Sequence, residues 1–136
     1  MENESLLVLL QRVTHVTLQV LGTELADLEL TASELNVLAN LADGRGRTVS
    51  ELGPAAGVRP TTLTGVLDRL EQKGQITRAP RPGDRRAVEI SLTDTGGTSA
   101  RRVHRAFGVL ERRALEGVPM SSVKQARRVL TALGAV

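Results

Sequence analysis

Two copies of one pattern, Thr31-Ala-Ser-Glu34 and Thr48-Val-Ser-Glu51, constrain this chain more than any other feature. Each reads as a capping box, in which the threonine oxygen accepts from the amide three residues on and the glutamate reaches back to the threonine's own amide. Two orphan donors are satisfied together, so a helix is expected to begin at each point. The first helix carries Leu35, Leu38 and Leu41 at three-residue steps and closes by Asp43-Gly44. The second runs from Val49 to Ala56 and stops at Gly57, since glycine enters the left-handed helix-ending turn without a Cβ penalty. Gly53-Pro54 inside it is a countersignal, because proline beyond the first turn removes a helical hydrogen bond. Val58-Arg59-Pro60 then restarts the chain as a helix, with Pro60 at the first position, where a missing N–H costs nothing. This helix turns Leu63, Val66, Leu67 and Leu70 inward before Gly74. Short helix, glycine turn, longer helix is the helix-turn-helix pattern.

Beyond Gly74 the period changes. Gln75–Ala79 suits a strand, Pro80-Arg81-Pro82-Gly83-Asp84 a tight hairpin tip, and Ala87–Leu92 alternates so that Val88, Ile90 and Leu92 share a face. A two-stranded ribbon behind the second helix of the motif is a wing. Residues 5–28, with Leu6, Leu10, Val13, Val16 (or Thr17), Val20 and Leu21, form an amphipathic helix. A long helix begins at Thr93 with Val103, Phe107, Leu110 and Leu115, Pro119 breaks it, and Val123, Ala126, Leu130 and Leu133 mark a last one. Leu6-Leu7-Val8-Leu9-Leu10 rings most of a turn with aliphatics, and such a helix needs burial, here against a second copy. The expected fold is mainly α with a small β-wing. One domain, 1–136, holds a winged helix-turn-helix lobe at 31–92, flanked by N- and C-terminal dimerisation helices at 1–30 and 93–136.

Composition closes several alternatives. There is no Cys, Trp or Tyr and one Phe, so the core is aliphatic, and disulfides, thiolate metal sites and cysteine redox switches are excluded. His15 and His104 are the only histidines and lack paired spacing, so neither a metal nor a cofactor is expected, and His15 reads as a structural or interface residue. Gly44-Arg45-Gly46 lacks the third glycine of a nucleotide fingerprint, that place being Val49, and no catalytic motif occurs, so an enzyme is not expected. The same glycines and arginines read as a flexible basic turn near phosphate. No apolar run suits a membrane span, and the start has acids where a leader needs basic residues, so a cytoplasmic location is expected.

The net charge of +3 conceals a segregation. Residues 1–44 hold one basic residue and seven acids, residues 45–86 nine and four, and residues 87–136 eight and four. A basic middle is the electrostatic footprint of double-stranded DNA binding. Arg59 and the outward face after it, with Thr61, Thr62, Thr64 and Gly65, are the expected DNA contacts: hydroxyls for base edges or phosphates, methyls for thymine, and a glycine for close approach. Lys73 suits a phosphate contact, and Arg69 suits either that or an ion pair with Glu71. At the wing tip Arg81, Arg85 and Arg86 surround Asp84, a set fitted to probe a narrow minor groove with the aspartate orienting an arginine. A winged helix that binds protein would instead carry an apolar centre on this face.

The run LDRLEQKGQITRAPRPGDRRAVEISLTDTG, Leu67 to Gly96, resembles the MarR (multiple antibiotic resistance regulator) family, through DRLEQKG before a strand, Asp84-Arg85-Arg86, and Leu92-Thr93 opening the next helix. With the helix order on both sides, the resemblance covers nearly the whole chain. It implies a transcription regulator, repressing as a rule: a triangular homodimer with interlocked terminal helices and two wings on one duplex. It further implies Arg86 as the minor-groove arginine, Asp84 as its salt-bridge partner, and Arg85 for phosphate. The family often has a larger polar residue where this chain has Gly65. A small phenolic or lipophilic ligand between the dimer helices and the DNA-binding lobe is also implied, with no residue assigned to it.

Overall fold

The computed structural model describes residues 3–136. Met1 and Glu2 lie outside them, and with Glu2 part of the acidic start weighed against a leader. In order come α1 (Leu6–Glu24), a 3-10 turn (Ala26–Leu28), α2 (Ala32–Ala39), β1 (Arg47–Thr48), α3 (Val49–Ala56), α4 (Pro60–Gln72), β2 (Ile76–Arg81), β3 (Asp84–Leu92), α5 (Asp94–Ala114) and α6 (Met120–Gly134). The architecture is mainly helical with a three-stranded antiparallel sheet ordered β1-β3-β2.

Both capping boxes form. Thr31 Oγ1 accepts from the Glu34 amide at 3.2 Å while Glu34 Oε1 accepts from the Thr31 amide at 3.1 Å, and Thr48 and Glu51 repeat the exchange at 3.2 and 2.9 Å. Gly57 ends α3 at φ 68°, and Pro60 opens α4. Pro54 does not break α3. It forgoes one bond to the carbonyl four residues back, on Ser50, which faces solvent.

Three boundaries differ from the sequence reading. The first helix ends at Glu24, and the 3-10 turn carries the chain to Glu29, whose φ of 55° redirects it towards α2. The hairpin tip narrows to Pro82-Gly83, because β2 continues through Pro80 and Arg81 with an irregularity between them. The supposed flexible turn around Gly46 leads into β1, where Arg47 and Thr48 pair with Ile90 and Glu89. Two residues are too few to show alternation, so periodicity could not reveal this strand.

The core is aliphatic. Val37, Leu38 and Leu41 of α2 and its extension, Leu52 of α3, and Leu63, Val66, Leu67 and Leu70 of α4 pack with Ile76, Ile90 and Ala100. A smaller cluster of Leu25, Leu35 and Val103, flanked by Phe107, joins the 3-10 region to α5. Gly96 permits this packing, since a Cβ there would overlap the Gln75 carbonyl. Glu34 is fully buried among these helices, yet it is paired. Lys73 Nζ, just past α4, donates to its two carboxylate oxygens at 2.8 and 3.0 Å and to the Glu29 carbonyl at 3.0 Å. Lys73 therefore closes the helix-turn-helix on α2, a structural duty absent from the phosphate-contact reading.

The terminal helices stay open. Leu21 is the single buried residue of α1, and α6 has none. Leu6, Val16, Met120 and Leu130 are 57, 54, 69 and 49% exposed. By length and composition α1 is apolar enough to cross a membrane, where the sequence reading found no such run. Arg12 and His15 interrupt it, and an arginine at the centre of a span costs about 2.5–3.5 kcal/mol. A protein partner suits the face better.

Burial opposes the charged form of Glu34, but hydrogen bonds from Lys73 and Thr31 outweigh it and hold the carboxyl below its ordinary range. The pair thus adds stability at neutral pH that is lost as pH falls through the lowered value. Lys73→Met, which strands the buried carboxylate, is expected to cost about 2–3 kcal/mol at pH 7 and to flatten the acid limb of stability, both read by urea unfolding between pH 3 and 7.

Candidate nucleic-acid interface

The exposed face of α4 is built by its own period, since turning four apolar residues inward leaves Arg59, Thr61, Thr62 and Thr64 outward. Thr64 Oγ1 donates to the Pro60 carbonyl at 3.0 Å, which leaves its lone pairs and methyl facing out. Arg69 lies back along the helix, and a Cβ on Gly65 would sit 3.5 Å from its Nη1. The absent side chain at Gly65 is thus covered by Arg69. The alternative pairing of Arg69 with Glu71 does not form, because Arg78 of β2 takes both nearby acids, Asp68 at 2.7 Å and Glu71 at 2.8 Å. Among the described residues, Arg59, Arg69, Arg85 and Arg86 have no carboxylate within ion-pair distance.

The wing arginines divide by role. Arg81 Nη2 meets Glu51 Oε1 at 2.6 Å and its Nε meets Glu89 Oε2 at 2.8 Å, which clamps the ribbon to the start of α3. The Thr48 amide, then Arg81, lower the Glu51 carboxyl to about 2. Arg81 is therefore largely neutralised within the chain, unlike Arg85 and Arg86. Asp84 Oδ1 accepts from the Arg86 backbone amide at 3.0 Å, and the side-chain salt bridge to Arg86 that the family pattern implies is absent among the described residues. Asp84 shapes the backbone at the tip and leaves both arginines extended outward.

Two features escaped the sequence reading. Arg101, His104, Arg105 and Arg112 line one shallow groove on α5, and their three-, four- and seven-residue spacing could have found them. A cleft of about 360 Å³ opens between α1, α2 and α5, walled by Val13, Leu18, Leu21, Leu35 and Phe107. No local signal marks it, since it exists only where three helices meet.

The model of the MarR family matches residues 30–88, the stretch holding α2 to β3 up to Val88. The multiple antibiotic resistance protein MarR of Escherichia coli is 33% identical over 103 residues, covering 73% of this chain and 72% of that protein. The chain belongs to the MarR family. Two further curated relatives of this MarR-family chain are matched over about half of their length, 43 and 58%. Among solved structures, CouR from Rhodococcus jostii, bound to p-coumaroyl-CoA, superposes with TM-score 0.82 at 27% identity, covering 93% of this chain and 89% of that one. A variant of Escherichia coli MarR complexed with operator DNA superposes with TM-score 0.74 at 28% identity, covering 92 and 90%.

Arg81→Ala is expected to speed amide hydrogen exchange across β2 and β3, whereas Arg86→Ala leaves it unchanged. The Arg81 clamp should persist in acid until pH approaches 2, where Glu51 takes up its proton and exchange in the wing rises.

Proposed function

We propose that this chain is a sequence-specific, double-stranded-DNA-binding transcription regulator, a repressor, that works in the cytoplasm as a homodimer on a pseudo-palindromic site. The observation that carries the reading is a hydroxyl face beside unpaired arginines. Arg59, Thr61, Thr62, Thr64 and Arg69 stand outward on α4, and Arg85 and Arg86 stand outward on the wing. In this reading α4 enters the major groove, where hydroxyls and a guanidinium meet base edges. The tip arginines reach the minor groove, where negative potential is strongest. Arg81, Asp84 and Lys73 act indirectly, by holding the wing and α4 in place. The relative complexed with operator DNA supports the same mode of action.

Dimerisation follows from the open faces of α1 and α6. Covering an exposed Leu or Val is worth about 1.5–3 kcal/mol each when complete, and a second copy supplies complementary apolar helices. Two-fold symmetry then places half-sites about 10 bp apart. A small ligand in the cleft between α1, α2 and α5 releases DNA by shifting the terminal helices against the lobe. Support comes from the position of the cleft at that junction and from the ligand-bound relative.

Selection of bound duplexes from a random pool is expected to return an inverted repeat with that spacing, and failure to enrich any duplex would refute the reading. Affinity for the selected site should fall about a thousandfold between 50 and 200 mM salt through counterion release. Arg86→Ala should weaken it by about tenfold or more, at 1.4 kcal/mol per tenfold, and Arg128→Ala, on α6, by far less. Sedimentation at micromolar concentration should give a dimer, and a monomer there would refute the packing of the terminal helices.

A further inference from the structure

Gly65 leaves a gap in the middle of the exposed ridge of α4, and one side chain fills it. Thr61, Gly65 and Arg69 are spaced four apart, so they stand one above another on that ridge. Helix side chains lean towards the N-terminus, so Arg69 runs back over position 65. A Cβ on Gly65 would lie 3.5 Å from Arg69 Nη1, and Gly65 is only partly exposed beneath it. The guanidinium is thereby carried about 6 Å nearer the N-terminal end of α4 than its own backbone, at 1.5 Å per residue. Arg78 holds Asp68 and Glu71 at 2.7 and 2.8 Å, so neither neighbouring acid draws the guanidinium aside. Helix α4 packs on α2, α3 and β2, and the second copy is placed against α1 and α6, so the ridge stays open in the dimer.

The other outward side chains of α4 discriminate bases poorly. Thr64 has committed its one proton to the Pro60 carbonyl at 3.0 Å. Thr61 and Thr62 carry hydroxyls that donate or accept, so each suits more than one base. Arg59 precedes the helix on extended backbone and does not share the ridge. A guanidinium laid along the ridge presents two parallel N–H donors, which match O6 and N7 of guanine. We propose that Arg69, admitted by the missing side chain at Gly65, is the specificity-determining residue of α4 and selects one G·C pair in each half-site. The inference rests on the DNA-binding reading above and names the base that α4 reads. A larger side chain at position 65 would occupy the same space, so the two positions act as a unit: the glycine supplies the room and the arginine the donors.

The test uses the full-length chain and the duplex returned by random-pool selection, with each base pair of the half-site changed in turn and affinity read by fluorescence anisotropy. One G·C position per half-site is expected to lose at least about tenfold on replacement, as a good bidentate contact does. Replacing that guanine by 7-deazaguanine, which removes only the N7 acceptor, should weaken binding by the unmodified chain but not by Arg69→Ala. Arg69→Ala should abolish the preference at that position and preserve it at the others. Arg69→Lys keeps the charge but lacks the planar fork, and should lose the same preference. Gly65→Leu, with Arg69 intact, should lose it too by displacing the guanidinium, with thermal melting as the check on folding. If Arg69→Ala instead weakens every duplex of the panel equally and lowers the salt slope by about one, Arg69 is a phosphate contact. That result would overturn the inference and leave the DNA reading standing. A guanine preference that survives Gly65→Leu would overturn the coupling of the two positions. If no duplex is enriched, the DNA reading and this inference fall together.

Discussion

The buried Glu34 carboxylate and the Lys73 ammonium hold together the parts on which the rest of the fold depends. Glu34 caps α2 with one oxygen, and both oxygens receive Lys73 from the end of α4. Lys73 also bonds the carbonyl of Glu29, where the backbone enters the left-handed region to turn from the 3-10 segment into α2. One side chain thereby joins the end of the 3-10 turn, the start of α2 and the end of α4.

The wing is held by the same device a second time. Glu51 caps α3 and receives Arg81 from β2, while Arg81 also meets Glu89 of β3. In both places a capping-box glutamate, already oriented by its own helix, is used again as the anchor for a distant cation. A carboxylate fixed at a helix start loses little further side-chain freedom when it pairs, so the cation meets a pre-organised partner. The cations spent in this way are withdrawn from DNA. Among the described residues, Arg59 at the start of α4, Arg69 along it, and Arg85 and Arg86 on the wing keep no acid within ion-pair distance and face outward.

The internal partners of Lys73 and Arg81 were not legible in the sequence, for a common reason. Each lies in a stretch whose charge and turn residues suit DNA contact, and their partners stand far along the chain: Glu34 is 39 residues from Lys73, and Glu51 is 30 from Arg81. Charge patterning is a local signal and cannot report which acid returns to a given base. The α1–α2–α5 cleft was hidden similarly. Val13, Leu35 and Phe107 each read as ordinary core positions of their own helices, and the opening exists because those helices fail to close completely on one another.

The sequence by itself determined the six α-helices, the two strands of the wing, their order and the outward face of α4. Capping boxes, glycine stops, a proline start and apolar periods of two or of three to four act within a few residues, and neither Pro54 nor the surrounding charge overrode them. The family resemblance was legible for the same reason, carried by a contiguous run from Leu67 to Gly96. Tertiary structure alone decided which charged groups are structural and which are free, that Arg47-Thr48 joins the sheet as its third strand, and that Arg69 covers Gly65. Those outcomes depend on the proximity of residues distant in the chain. Only the packed fold, driven by burial of its leucines and valines, brings them together.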